Sequence, residues 1–408
     1  MGFAELWESL LQVGRYAVTG GYRRYSFTEA DLACREWFAS AAAQRGLRAW
    51  CDRNGNLWAR WDPPAGTADG RPAVVAGSHL DSVPDGGAYD GPLGIVSAFA
   101  AIDELRDRGF VPARPVAVAA FCEEEGGRFG LACLGSRLLT GALEPEAALA
   151  LRDGSGVGLA EAMTGAGLDP ARLGRDDELL DRIGVFVELH IEQGSALAGL
   201  GAAVGIAEGI WPHGRWRMDF TGRADHAGTT RLADRRDPML PYAATVLAAR
   251  QAAGDQHALA TFGKVIAEPG GANAICSAVH AWLDARAPDE ATLHRMVGEI
   301  ETAARQAADG QGVGVEVRRE SFTPLVEFDV PLRDRLGVAL AARGIIAPVL
   351  PTGAGHDAGI LAARRPAAML FVRNPTGVSH SPAEQASRAD CEAGVTALAA
   401  VIEELTSR

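Results

Sequence analysis

The chain has 408 residues, 48% of them hydrophobic and 22% charged, a globular balance at a length of two or three domains that excludes a disordered chain or a disulfide-stapled miniprotein. Lys plus Arg number 39 against 52 Asp plus Glu, a net charge of −13; the surface field repels polyanions, so no nucleic-acid partner is expected and a small-molecule substrate is. Lys264 is the only lysine and is followed by Val265, which excludes a Walker phosphate loop and leaves lysine Schiff-base chemistry without support.

Along the chain, the first stretch brings Glu5 and Glu8 where a secretion signal needs a basic and then an apolar run, and no run of 18 apolar residues follows anywhere. A cytoplasmic protein with no membrane partner is expected. From about residue 73, short apolar runs alternate with amphipathic helical ones: AVVAGS, GIVSAFAAIDELRDRG, PVAVAAF and GVFVELH. That alternation predicts a largely parallel sheet with helices on its faces. The rhythm changes near Gly209. Strand patterns at Trp216 to Gly222, Ala260 to Ala267, Ser277 to Arg286 and Val313 to Ser321, with helical patterns at Asp237 to Ala253 and Glu290 to Ala308, give the order βαββαβ of a ferredoxin-like unit. After Pro324 the first rhythm returns with a helix at Leu332 to Arg343, strands at Ala347 to Leu350 and Ala367 to Val372, and a terminal helix. The fold class is therefore α/β: one domain with a mainly parallel central sheet, residues 1–208 and 324–408, interrupted by a smaller domain at 209–323. The six cysteines form no C-x-x-C pair, so a thiolate zinc or redox site has no support and reduced, buried thiols are expected.

Of the nine histidines, three fall at predicted strand ends beside carboxylates, where open α/β sheets place ligands. His79 opens Ser78-His79-Leu80-Asp81 after an apolar run, with Asp90 eleven residues on; His190 ends VFVEL and begins His190-Ile191-Glu192-Gln193-Gly194; His380 follows AAMLFV within Ser379-His380-Ser381-Pro382. The strand PVAVAAFC runs directly into Glu123-Glu124-Glu125. Three adjacent carboxylates at a strand end repel one another unless a cation sits among them. Taken singly, a strand-end histidine is more often a hydrogen-bonded structural residue and an acidic triplet a solvated corner. Together, at successive ends of one sheet, they suit one or two divalent ions: imidazole and carboxylate ligands fit zinc, manganese, cobalt or nickel.

These motifs, with Asp225-His226-Ala227-Gly228-Thr229-Thr230 and Gly353-Ala354-Gly355-His356-Asp357, resemble the di-metal amidohydrolases that cleave ureido groups, the allantoate amidohydrolases and N-carbamoyl-L-amino acid hydrolases related to the M20 metallopeptidases. The resemblance spans essentially the whole chain in order, and the compact spacing from His79 to Asp90 is similar to the ureido-cleaving branch. It implies two divalent ions per subunit, zinc first with manganese, cobalt or nickel as alternatives. His79 and His190 would hold one, Glu125 and His380 the other, with Asp90 bridging. Glu124 would be the general base, and Asp81 a carboxylate orienting an imidazole, with a plain turn residue as the alternative. The inserted domain would serve dimerisation and substrate binding. His226 would stabilise the oxyanion, often across a homodimer, while Asn273 and Arg286 would grip a substrate carboxylate; for Arg286 a surface ion pair is the alternative. Gln193 and His356 are further candidates for substrate contacts. Two departures from the family pattern are Cys276, where proline is common, and Asp225, where asparagine is usual.

The implied activity is hydrolysis of the ureido C–N bond of allantoate, ranked first on whole-chain resemblance including Trp211-Pro212-His213-Gly214 and Arg373-Asn374-Pro375-Thr376-Gly377. N-carbamoyl-L-amino acids come second. An M20-type dipeptidase or deacylase and a catalytically silent metal-binding relative are the remaining readings; retention of Glu124 beside all five ligands argues against the last.

Overall fold

The structure, a computed structural model, describes residues 2–66 and 68–407. In chain order the strands are β1 (Arg48–Cys51), β2 (Leu57–Trp61), β3 (Ala73–His79), β4 (Val116–Phe121), β5 (Ile183–Ile191), β6 (Val204–Ile210), β7 (His213–Thr221), β8 (Asp225–His226), β9 (Leu259–Glu268), β10 (Ala274–Ile275), β11 (Ala278–Arg286), β12 (Gly314–Thr323), β13 (Val326–Glu327), β14 (Val349–Thr352) and β15 (Ala367–Val372). The chain divides into two compact units: one runs to Glu208 and resumes at Glu327, and the other is Gly209–Val326.

The first unit is built on a sheet of order β1-β2-β4-β3-β5-β15-β6-β13, with β14 beside β6. Its centre, β4-β3-β5-β15, is parallel throughout, in agreement with the alternation of apolar runs and helices. Every residue of β3, β4 and β15 is buried, as parallel strands covered on both faces must be. The helix Pro92–Asp107 lies against this centre; all of its first eleven residues are buried, which explains why its sequence is apolar all round rather than striped. The antiparallel edges were not foreseen. The hairpin β1–β2 and the strand β6, which runs against β15, are short and carry charged or glycine residues that blur their alternation.

In the second unit β12-β7-β11-β9 form a four-stranded antiparallel sheet. One face is apolar: Trp216, Met218 and Phe220 of β7 and Val279, Leu283 and Ala285 of β11 meet Leu293, Met296, Val297 and Ile300 from the helix Glu290–Gly310 and Ala249 and Ala252 from the helix Met239–Asp255. Strict alternation of burial along β11 shows the pleat that sets this face. The expected βαββαβ order is present, each element within a few residues of its predicted place. A separate two-stranded ladder pairs β8 with β10, so that His226 stands opposite Ala274.

Candidate metal centre

His79 ends β3, His190 lies one residue from the end of β5, and the Glu123-Glu124-Glu125 turn follows β4. Because these strands are adjacent and parallel, their C-terminal ends deliver the three groups to one edge of the sheet. Asp90 is brought over them by the loop that enters the helix Pro92–Asp107. Gly91 makes that approach possible: it has φ +83°, and a Cβ there would fall 2.4 Å from the His79 ring, so any side chain would displace the imidazole. His380 arrives on the loop after β15, and both it (φ +54°) and Glu123 after β4 (φ +55°) are in the left-handed conformation; such backbone is held against its own preference and clusters at functional sites.

The side chains converge on Asp90. Its Oδ1 lies 3.1 Å from Nε2 of His190 and 3.5 Å from Nε2 of His79, and its Oδ2 lies 3.5 Å from Nε2 of His380. His380 Nε2 is also 3.5 Å from Glu125 Oε2. Two groups of potential ligands, His79 with Asp90 and His190, and Asp90 with Glu125 and His380, thus share one carboxylate. Nδ1 of His79 donates to the carbonyl of Asp81 (3.1 Å) and Nδ1 of His190 to the carbonyl of Ile191 (2.9 Å). In the neutral ring that tautomer leaves Nε2 of each with a free lone pair, and both nitrogens are buried without a hydrogen-bond partner. Donor atoms arranged tetrahedrally about 2.1 Å from an ion stand about 3.4 Å apart, so orphaned nitrogens and carboxylate oxygens at these separations fit a divalent cation at each group. A third set, Glu188 with His190 and His356, is already satisfied: Glu188 accepts from Ser78 Oγ (2.7 Å) and from the amide of Ala358 (2.9 Å).

Electrostatics point the same way. Burial, reinforced by Asp90, pushes Glu125 up to about 8, and burial with Asp81 pushes Glu123 up to about 7. Burial also raises Glu124 well above the usual carboxylate range. For His190 burial pulls down, but the Asp90 carboxylate outweighs it and the imidazole is pushed up to about 8. Buried acids that hold protons and imidazoles that gain them are the signature of a pocket with more negative charge than it can carry alone.

Glu124 Oε2 lies 3.6 Å from His79 Nε2, and Cys133 Sγ donates to its Oε1 at 3.4 Å. Asp81 lies 3.6 Å from the His79 ring through its carboxylate, but its two oxygens accept the amides of Glu124 and Glu125, both at 3.1 Å; the imidazole is oriented by the Asp81 carbonyl and the acidic turn by its carboxylate. Gln193 reaches the same centre, with Nε2 2.8 Å from Asp90 Oδ2 and 3.3 Å from His380 Nε2. His356 is buried with its ring centroid 4.5 Å from that of His190, and burial, with His190 adding to it, holds its imidazole well below the ordinary value.

In the second unit His226 and Asn273 come together, the Ala227 amide donating to the Asn273 carbonyl at 3.0 Å, and Nδ1 of His226 accepts from the Gly228 amide at 3.0 Å. Asp225 turns its carboxylate to the His226 amide (2.9 Å). Cys276 is buried between β10 and β11. Arg286 stands at the far end of β11, its Nε 2.7 Å from Asp284 Oδ1. From Ala278 to Arg286, β11 covers eight residue steps, about 26 Å at 3.3 Å per step.

Two residues of the centre escaped the sequence reading. Glu188 looks like one polar position in a buried strand, and Glu384 lies four residues beyond His380 with nothing in its spacing to mark it. Both are buried carboxylates that accept backbone amides, Glu384 from Tyr89 and Asp90 at 3.0 Å each. The signal available was their very presence in apolar or turn segments, where an uncompensated acid is costly.

Residues 75–404 match the sequence profile of Peptidase family M20/M25/M40. The chain is 36% identical over 397 residues to an N-carbamoyl-L-amino acid amidohydrolase of Geobacillus stearothermophilus, covering 96% of each chain. It is 32% identical over 391 residues to an allantoate amidohydrolase of Escherichia coli K12, covering 95% of this chain and 93% of that one. Among solved structures, a hydantoinase/carbamoylase family amidase from Burkholderia ambifaria superposes with a TM-score of 0.86 at 31% identity, over 100% of this chain and 98% of the other.

Proposed function

The chain belongs to the M20/M25/M40 family of metal-dependent hydrolases and is an amidohydrolase acting on non-peptide C–N bonds, and we propose that it hydrolyses the ureido group of a small carboxylate, with allantoate as leading substrate. The products would be ureidoglycine, ammonia and carbon dioxide. The observation that carries the reading is the meeting of two ligand groups at Asp90 with Glu124 3.6 Å from His79. His79, Asp90 and His190 would hold one divalent ion and Asp90, Glu125 and His380 the other, zinc suiting this donor set, with manganese, cobalt or nickel as alternatives. Bound there, the ions would polarise the scissile carbonyl and acidify the attacking water.

The protein's own groups do the rest. Glu124 takes a proton from the water and delivers it to the leaving nitrogen. Asp81 fixes the backbone of the turn that carries Glu124 and Glu125. His226 donates to the oxyanion, Asn273 and Arg286 bind the substrate carboxylate, and Gln193 and His356 line the ureido position.

We read the enzyme as a homodimer, and the length of β11 supports this. His226 and Asn273 sit near one end of that strand and Arg286 at the other, a separation no ureido acid of a dozen heavy atoms bridges. One substrate can touch all three only if they come from two copies. The six cysteines are free thiols, as a reducing cytoplasm maintains them, and among the described residues no helix is long and apolar enough to cross a membrane.

N-carbamoyl-L-amino acids are the second reading, favoured by the 36% identity to the Geobacillus enzyme. Ammonia release from allantoate, a set of N-carbamoyl-L-amino acids and dipeptides, with each metal added to stripped protein, tests both. Turnover of allantoate is expected. Turnover of dipeptides alone would overturn the ureido assignment.

A further inference from the structure

The loop that presents His380 is tied to the loop that presents Asp90 through one buried carboxylate. Glu384 is 5% exposed. Its Oε2 accepts the amide N–H groups of Tyr89 and Asp90, both at 3.0 Å, and its Oε1 lies 3.4 Å from Ser379 Oγ, which is itself 3.2 Å from Asp90 Oδ2. The fit is tight: a Cβ on Gly87 would fall 2.2 Å from Glu384 Oε2. Glu384 thus fixes the backbone that aims Asp90, and with Ser379 it fixes the particular oxygen that faces His380.

The two metal positions depend on this tie unequally. The first draws two of its three groups, His79 and His190, from strands at the centre of the sheet, with rings locked by the carbonyls of Asp81 and Ile191, and takes only Asp90 Oδ1 from the tied segment. The second draws His380 from the tied loop, where its side chain is half exposed, together with Asp90 Oδ2. Without the tie, His380 and Asp90 Oδ2 lose their common register while His79 and His190 keep theirs.

We propose that Glu384 is a positioning residue that sets the affinity of the second metal position, that of Asp90, Glu125 and His380, more strongly than that of the first, which shares only Asp90 with the tied segment; this rests on the two-ion reading above. Supporting groups around metal ligands are typically worth 10- to 100-fold in affinity. Zinc titration of the full chain after metal stripping, followed by metal analysis and by cobalt absorption spectra, tests it. Wild type should bind two ions per chain. E384A should bind the second ion at least about tenfold more weakly and the first with a clearly smaller loss, and E384Q, whose amide oxygen can still accept both backbone N–H groups, should recover most of the loss. Should E384A fail to fold, Gly87→Ala pushes the carboxylate away from its amides without removing it and should weaken the second ion in the same way. Native affinity at both positions in E384A or, failing that, in Gly87→Ala, or equal weakening of both ions, would overturn the proposal. A wild-type protein that binds a single ion would instead overturn the two-ion reading.

Discussion

Nε2 of His190 faces Oδ1 of Asp90 at 3.1 Å with its own Nδ1 proton committed to the Ile191 carbonyl. One acceptor therefore looks at another across a buried gap, an arrangement that only a proton or a cation reconciles. If the cation is a bound metal, His190→Ala should empty the position it shares with His79 while Asp90→Ala should weaken both. Metal analysis after dialysis reads this directly; both positions filled in each variant would refute the ligand assignment.

Glu124 is in reach of the same centre but belongs to neither ligand group. Glu124→Gln keeps the shape and the contact with Cys133 while removing the proton acceptor. Turnover should fall by about 10² to 10⁴, the usual worth of a placed base, with metal content nearly unchanged. Loss of metal instead would mean that Glu124 and its neighbour Glu125 exchange roles.

Stripping the metal should make stability depend on pH with a definite sign. In the folded metal-free chain Glu123 and Glu384 are pushed up to about 7 and Glu125 to about 8, by burial first and by neighbouring carboxylates second. His190 is raised to about 8, the Asp90 carboxylate outweighing burial. Raised values mean that the folded state holds protons the unfolded chain has released, so this stability is present at low pH and lost as pH climbs through about 7 to 8. His356, held low, opposes the trend only below its ordinary value of 6.5. The thermal midpoint of chelator-treated protein should therefore fall between pH 6.5 and 8.5, and readdition of zinc should flatten the curve. A midpoint that rises over that interval would contradict the buried-charge account.

Much of this was legible in the sequence because parallel strands announce themselves twice, as apolar runs and as the polar residues that stop them. His79, the Glu123-Glu124-Glu125 turn and His190 follow or end such runs, so adjacency in the sheet was enough to bring them together. Glu384 and Glu188 were not legible, since their partners are backbone amides of remote segments, and no spacing encodes a hydrogen bond between residues 384 and 90. The strands β1, β2 and β6 were missed for a related reason: antiparallel edge strands here take their place from what they pair with, not from an alternation of their own.

The boldest expectation concerns His226. It pairs with Ala274, the neighbour of Asn273, whereas Arg286 closes the far end of β11, a strand about 26 Å long; on the proposed reading a substrate held by all three lies between two subunits. His226→Ala should lower turnover by about 10² to 10³, the worth of an oxyanion donor, without altering metal content. Mixing inactive His226→Ala and Glu124→Gln homodimers then separates the alternatives. If His226 serves its partner's centre, a mixed dimer has one site with an intact Glu124 and an intact histidine from the other chain, and a second site lacking both. Activity should return to about half of wild type per mixed dimer. If His226 serves its own chain, every site in the mixture carries one defect. No recovery after subunit exchange has been verified, by mass or by differential tags, would then return the histidine to its own subunit and remove the main support for a shared active site.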